Sequence, residues 1–118
     1  MTKAVHLIGI GGTGMGTLAG MLKQAGYTVS GTDLDIYPPM SDKLAEWGIT
    51  PFVGYSADNL ARQPDVVVIG NVIRQDNPEA QAAINRGMKT VSMPVMLRDI
   101  FLAQKQNIVL AGTHGKSS

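Results

Sequence analysis

Short apolar runs alternate along the chain with longer segments in which apolar residues recur at helical spacing. Each run ends near a glycine, a proline or a polar residue, which is typical of strands buried on both faces of a parallel sheet. The pattern predicts six strands, at residues 4–8, 27–31, 49–53, 65–70, 89–92 and 107–111. It also predicts helices at residues 13–25, 41–47, 78–86 and 94–102, with a helical turn at 56–60.

Regular alternation of strands and helices predicts an α/β fold. The crossovers are expected to be right-handed, which gives a doubly wound parallel sheet of Rossmann-like type in a single domain. The expected strand order is 3-2-1-4-5-6, and ligands of such sheets bind outside the carboxyl ends of the strands.

The first glycine-rich loop follows the first predicted strand and precedes the first predicted helix. Gly9-Ile10-Gly11-Gly12-Thr13-Gly14 contains the spacing G-x-G-x-x-G. Exposed amides at a helix N-terminus bind a diphosphate, and Gly11 is expected to let a phosphate approach the backbone. Asp33 follows at about the distance of 20 residues at which an acid meets a ribose. NAD, FAD and nucleotide sugars all fit this pattern.

The second glycine-rich loop lies at the end of the sequence, in Gly112-Thr113-His114-Gly115-Lys116-Ser117-Ser118. Gly-Lys-Ser is the centre of a P-loop, in which the lysine reaches nucleotide phosphates and the hydroxyl holds Mg²⁺. The spacing is shorter than the full motif, because Leu110 stands where the motif has glycine. A P-loop also needs the helix that follows it, so we expect this chain to be the front part of a longer protein.

Composition excludes several classes of function. The 118 residues suffice for one globular domain, and a net charge of +1 argues against a nucleic-acid or polybasic membrane surface. The sequence has no cysteine and two histidines, His6 and His114, so disulfides and ordinary zinc sites are not expected. His6 lies within an apolar strand and is expected to be structural. These features predict a cytoplasmic protein.

Four segments together resemble the Mur ligase family, ATP-dependent amide-forming enzymes of bacterial peptidoglycan. They are His-Leu-Ile-Gly-Ile-Gly-Gly-Thr-Gly-Met at 6–15, Val-Ser-Gly-Thr-Asp at 29–33, Val-Ile-Gly-Asn at 68–71 and Ala-Gly-Thr-His-Gly-Lys-Ser at 111–117. The resemblance implies a UDP-sugar-binding domain at 1–106, and the start of a central ATP-binding domain, strand plus P-loop, at 107–118.

The resemblance also implies roles for individual residues. The UDP-sugar would contact Gly9, Gly11, Gly12, Thr13, Gly14, Met15, Asp33 and Asn71. The phosphates of ATP would contact Gly112, Thr113, His114, Gly115, Lys116, Ser117 and Ser118. Lys116 would be catalytic and Ser117 would hold Mg²⁺, although serines replace the more usual threonines at 117 and 118. ATP would activate the lactyl carboxylate of UDP-N-acetylmuramate for attack by a peptide amine.

Two questions stay open at this point. Tyr37-Pro38-Pro39-Met40-Ser41 resembles the murein-recycling branch of the family, which adds a peptide, whereas Gly11–Met15 resembles the alanine-adding branch at least as well. A Rossmann module that binds NAD is the alternative from another class, but it leaves residues 112–118 unexplained. The expected partners are small-molecule substrates, without nucleic acid or membrane. The oligomeric state is not predicted.

Overall fold

The computed structural model describes residues 3–110, except for the side chains of Thr13 and residues 103–110. Within this range five parallel strands form one sheet in the order β3-β2-β1-β4-β5. The strands are β1 Ala4–Ile8, β2 Thr28–Asp33, β3 Phe52–Val53, β4 Val66–Ile69 and β5 Thr90–Ser92. The predicted fold class and the order of the first five strands are confirmed.

The helices of the described residues lie between and after the strands. They are α1 Thr13–Gln24, α2 Met40–Glu46, a 3₁₀ helix Ala57–Leu60, α3 Pro78–Asn85 and α4 Met93–Leu110. Local chemistry sets the start of α3, where the Asn77 side chain accepts hydrogen bonds from two amides of the first turn and Pro78 follows it. None of the helices in this part of the chain is long and apolar enough to cross a membrane.

The two faces of the sheet are covered by different helices. Along β1, Val5 and Leu7 point into one core, whereas His6 and Ile8 point the other way, as the two-residue period of a strand requires. The larger core also contains buried residues of α1, α2 and α4: Leu18, Leu22, Leu44, Met96 and Ile100. The smaller core lies under α3 and the 3₁₀ helix and contains Leu60, Val67, Ala80 and Ala83.

The prediction of a sixth strand at 107–111 is wrong for residues 107–110, which continue α4 to Leu110. A short apolar run fits a helix as well as a strand. Extending a formed helix needs only local hydrogen bonds, whereas a strand needs a neighbouring sheet edge. Ala111 lies outside the described residues. The domain boundary expected after residue 106 stays a prediction.

Candidate functional site

The loop Gly9–Gly14, called the glycine loop below, connects β1 to α1 at the carboxyl edge of the sheet. Gly9 has a φ of +92°, a backbone conformation that favours glycine. The carbonyl oxygen of Thr32 accepts hydrogen bonds from two loop amides, Gly9 N at 2.7 Å and Ile10 N at 3.1 Å. The end of β2 therefore fixes the first turn of the loop.

Asp33, the last residue of β2, holds the middle of the glycine loop. Its Oδ2 accepts a hydrogen bond from Gly11 N at 2.8 Å, and its Oδ1 accepts one from Leu34 N at 2.8 Å. The Tyr55 hydroxyl lies 3.4 Å from the same Oδ1. The sequence predicts contact between Asp33 and a ribose, and that contact stays a prediction. The structure shows a further role for Asp33, because each of its carboxylate oxygens accepts a hydrogen bond from a backbone amide and so fixes the backbone there.

The glycines of the loop have different surroundings. A Cβ at Gly11 would lie 2.8 Å from Asp33 Oδ2 and 2.9 Å from Ile36 Cγ1, closer than side chains tolerate. A Cβ at Gly14 would lie 3.0 Å from Met93 Sδ, at the start of α4. A Cβ at Gly12 would be 3.6 Å from its nearest neighbour, Gly9 O, an ordinary contact. Gly11 therefore serves loop packing, whereas Gly12 has room for a side chain.

The first turn of α1 presents backbone donors at this edge. Gly12 is the N-cap and provides no side-chain acceptor. Its own amide donates to Gly9 O at 3.2 Å, and its carbonyl accepts from Gly16 N at 2.7 Å. The next amides, those of Thr13, Gly14 and Met15, have no acceptor within a helix because they belong to its first turn. Such a turn, at the positive end of the helix dipole, binds anions.

Asn71 follows β4 on the other side of β1. Since β1 pairs in parallel with both β2 and β4, their carboxyl ends meet at one edge. Asn71 is exposed there, after Gly70, whose amide donates to Ile8 O at 3.1 Å. Ile73 of the same loop lies against Gly9. The structure thus brings the glycine loop, Asp33 and Asn71 to one edge, and their contacts with a ligand stay predictions.

Beneath this edge lies a buried polar cluster whose centre, Glu79, the sequence analysis missed. Glu79 and His6 are both fully buried. Glu79 Oε2 lies 2.5 Å from His6 Nε2 and accepts a hydrogen bond from the Thr32 hydroxyl at 2.8 Å. Its Oε1 accepts from Asn59 Nδ2 at 2.7 Å and from Ser56 N at 3.2 Å. We call Glu79 and these four partners the Glu79 cluster.

The cluster keeps Glu79 ionised. Burial raises the pKa of the Glu79 carboxyl, but hydrogen bonds from His6, Asn59 and Thr32 outweigh burial and hold that pKa below its ordinary value. His6 is also bonded through Nδ1 to Ser30 Oγ at 2.7 Å, so its predicted structural role is confirmed. The sequence signal that could have indicated this cluster is the presence of polar residues within apolar strands, because buried polar groups need hydrogen-bond partners.

Tyr55 is a second residue that the sequence analysis missed. It is half-buried between the cluster and Asp33. Burial, together with the charge of Asp33 and the hydrogen bond to it, raises the pKa of Tyr55 to about 12. Its hydroxyl therefore keeps its proton at neutral pH and donates toward Asp33.

The sites predicted for ATP and Mg²⁺ cannot be placed. Residues 112–118, including Lys116 and Ser117, lie outside the described residues. Among residues that the structure does describe, no three His, Cys, Asp or Glu side chains come together as metal ligands would.

Known proteins are similar to this chain in sequence and in fold. The family described as "Mur ligase family, catalytic domain" matches residues 4–105. A UDP-N-acetylmuramate–L-alanyl-γ-D-glutamyl-meso-2,6-diaminoheptandioate ligase of Escherichia coli is 41% identical over 114 residues, covering 97% of this chain and 25% of the relative. A UDP-N-acetylmuramate–L-alanine ligase of Carboxydothermus hydrogenoformans is 44% identical over 119 residues, covering 98% of this chain and 24% of the relative.

Solved structures agree. The UDP-N-acetylmuramate:L-alanyl-γ-D-glutamyl-meso-diaminopimelate ligase of Neisseria meningitidis superposes with a TM-score of 0.75 at 44% identity, covering 80% of this chain and 29% of that chain. The UDP-N-acetylmuramate-alanine ligase of Thermotoga maritima gives 0.79 at 31% identity, covering 89% and 24%. The chain spans about a quarter of the length of the curated relatives it matches. From its sequence match over residues 4–105, this chain belongs to the Mur ligase family.

Proposed function

We propose that this chain is the UDP-N-acetylmuramate-binding part of an ATP-dependent ligase. The observation that carries the proposal is the first turn of α1, whose amides face the carboxyl edge of the sheet from a loop fixed by Thr32 and Asp33. A fixed turn presents donors to a diphosphate without a cost of ordering them on binding. The relatives named for UDP-N-acetylmuramate support this sugar nucleotide as the diphosphate.

Different residues bind different parts of the ligand. The amides of Thr13, Gly14 and Met15 bind the diphosphate, and Gly12, which lacks a side chain, leaves the approach open. Gly9 and Gly11 shape the loop. Asp33 accepts a hydrogen bond from the ribose or uracil side with the Oδ2 lone pair that its protein partners do not use, because each carboxylate oxygen accepts about two and Oδ1 already accepts two. Asn71 borders the sugar from the opposite side of β1.

The ATP-binding residues complete the proposed activity in a longer protein. Residues Gly112–Ser118 would hold ATP and Mg²⁺, with Lys116 on the phosphates and Ser117 on the metal. ATP would supply the phosphoryl group that turns the lactyl carboxylate of the sugar into an electrophile. We place this step in the cytoplasm. The residues at the carboxyl edge of the sheet would hold the UDP-sugar, which carries the carboxylate, in place for it.

We further propose that the amine comes from the peptide L-Ala-γ-D-Glu-meso-diaminopimelate, as in murein recycling. Relatives named for this peptide and relatives named for L-alanine both match the chain at about the same identity, 41% and 44%. Tyr37–Ser41 carries the assignment to the peptide. Ligation assays with the longer protein, using the peptide or L-alanine as the amine, test it. Activity with alanine alone contradicts it.

Calorimetric titration of the 118-residue chain with UDP-N-acetylmuramate tests the binding proposal, with NAD as the matched diphosphate control. We expect the UDP-sugar to bind and NAD to give no heat at the same concentrations. UDP alone, as a second ligand, shows how much of the affinity comes from the diphosphate and base. Binding of NAD without the UDP-sugar would replace the proposal with a redox function.

A further inference from the structure

Two hydrogen-bonded routes lead from one buried carboxylate to the glycine loop. In the first, Glu79 Oε2 accepts the Thr32 hydroxyl at 2.8 Å. The carbonyl of the same Thr32 accepts the amides of Gly9 and Ile10 at 2.7 Å and 3.1 Å. Thr32 is thus held by its side chain on one face of the sheet and holds the loop through its backbone.

The second route runs through the segment after β3. Glu79 Oε1 accepts hydrogen bonds from Ser56 N and from Asn59, and Asn59 also donates to Gly54 O at 2.9 Å. These bonds fix the backbone on both sides of Tyr55. The hydroxyl of Tyr55 then meets Asp33, whose other carboxylate oxygen accepts Gly11 N.

Glu79 itself sits on a rigid support. It occupies the first turn of α3, where its own amide donates to the Asn77 cap at 2.9 Å, and its side chain has no exposed surface. The four donors come from β1, β2 and residues 56–59, and the carboxylate accepts all four hydrogen bonds at once. Because His6 and Thr32 are fully buried, moving either donor away from Glu79 would leave a buried polar group without this partner, which favours a single geometry.

We propose that Glu79 is a positioning residue for the UDP-sugar site: it fixes the geometry of the glycine loop through Thr32 and through Tyr55 and Asp33. It touches no ligand in this scheme. The inference rests on the proposed function for the identity of the ligand, but its structural part concerns only the amides of Gly9, Ile10 and Gly11. Those amides provide a readout that does not depend on binding.

The substitution Glu79→Gln tests the role with little change in shape. The carboxylate accepts four hydrogen bonds on two oxygens, whereas the amide has one acceptor oxygen and adds two donors. We expect about tenfold weaker binding of UDP-N-acetylmuramate by calorimetry. We also expect exchange of the Gly9, Ile10 and Gly11 amide protons to be at least fivefold faster by NMR.

Ile100→Ala is the matched control, because it destabilises the chain from the larger core, on the opposite face of the sheet, and belongs to neither hydrogen-bonded route. Both variants are compared well below their melting temperatures. Weaker binding and faster loop exchange in Glu79→Gln, with the control unchanged in both, support the positioning role. Equal losses in both variants, or wild-type affinity in Glu79→Gln, overturn it.

Two further outcomes also decide between the proposals. If the wild-type chain does not bind the UDP-sugar, the proposed function fails, and the exchange rates still decide whether Glu79 fixes the loop. If Glu79→Gln does not fold, Thr32→Val replaces it, since valine keeps the β-branched shape and removes only the hydroxyl of the first route. Exchange at Gly9 and Ile10 that stays at the wild-type rate in Thr32→Val overturns that route and the proposal with it.

Discussion

Replacing Gly11 or Gly12 by alanine separates the packing of the glycine loop from its binding. The two residues are neighbours, yet a methyl group meets very different surroundings. At Gly11 it would lie 2.8 Å from Asp33 Oδ2 and 2.9 Å from Ile36 Cγ1. At Gly12 it would lie 3.6 Å from Gly9 O, in a backbone conformation of φ −67° and ψ 152° that any residue adopts.

The expected magnitudes follow from these distances. Overpacking at Gly11 costs about 1–3 kcal/mol. Moving Asp33 away also weakens its hydrogen bond to Gly11 N, a bond to a charged acceptor worth about 1.5–3 kcal/mol. Partial relaxation of the exposed end of the loop reduces the sum, and we expect a loss of about 3 kcal/mol. For a domain of this size that lowers the melting temperature by about 12 °C. Gly12→Ala should change the free energy of unfolding by about 0.5 kcal/mol, which shifts the melting temperature by about 2 °C.

Circular dichroism melting and calorimetry with UDP-N-acetylmuramate measure the two effects on the same samples. Gly12→Ala should melt within about 2 °C of the wild type but bind about tenfold more weakly, because its methyl group would lie where the proposed diphosphate approaches the helix. Gly11→Ala should lose both stability and affinity. If Gly11→Ala melts within 2 °C of the wild type, the close packing against Asp33 does not constrain the loop. Wild-type affinity in Gly12→Ala removes the diphosphate from this turn.

Three further predictions concern other parts of the chain. The folded-state pKa of Glu79 lies below its ordinary 4.5, so its ionised form stabilises the fold above that pH and this contribution disappears as the pH falls through the lowered pKa. Urea unfolding from pH 6 to pH 3 should therefore show the stability gap between wild type and Glu79→Gln narrowing, and a constant gap contradicts this. Gly20→Ala would place a Cβ 2.6 Å from Trp47, so it should lower the free energy of unfolding by about 1–3 kcal/mol and shift the fluorescence of this single tryptophan. Unchanged emission and stability would show that the α1–α2 contact is loose. Lys116→Ala should leave UDP-sugar binding by this chain unchanged and abolish ligation in the longer protein, and a variant that still ligates disproves the P-loop assignment.

The sheet could be predicted because its determinants are local. Most strands are short apolar runs bounded by glycine, proline or polar residues. Five of the six predicted strands form, β1 with its predicted ends and the other four with shifted ends. Periodicity failed at 107–110, where the same apolar composition suits a helix. The outcome there depends on whether a sheet edge is available, which is a property of the folded neighbourhood and not of the four residues.

The gathering of the glycine loop, Asp33 and Asn71 at one edge also follows from topology, since parallel strands end together. The direction in which a side chain at position 11 would point could not be predicted from the sequence. The motif predicts that Gly11 lets a phosphate approach the backbone. In the structure, a Cβ at Gly11 would instead point toward Asp33 and Ile36. The difference arises because the turn after β2, distant in sequence, folds back over the loop.

The Glu79 cluster could be predicted from the sequence only in part. Strand periodicity alone places Ser30 and Thr32 on one face of β2, and the parallel register aligns Ser30 with His6 of β1. Three polar side chains on one covered face require a polar partner from the helix layer above. Which residue supplies it depends on how α3 crosses the sheet, 73 residues from His6 along the chain. Glu79, next to Pro78 in a cap motif, reads from sequence as an ordinary first-turn acid favoured by the helix dipole. Its burial follows only from packing, so polar positions within apolar strands predict that a buried partner exists but not which one.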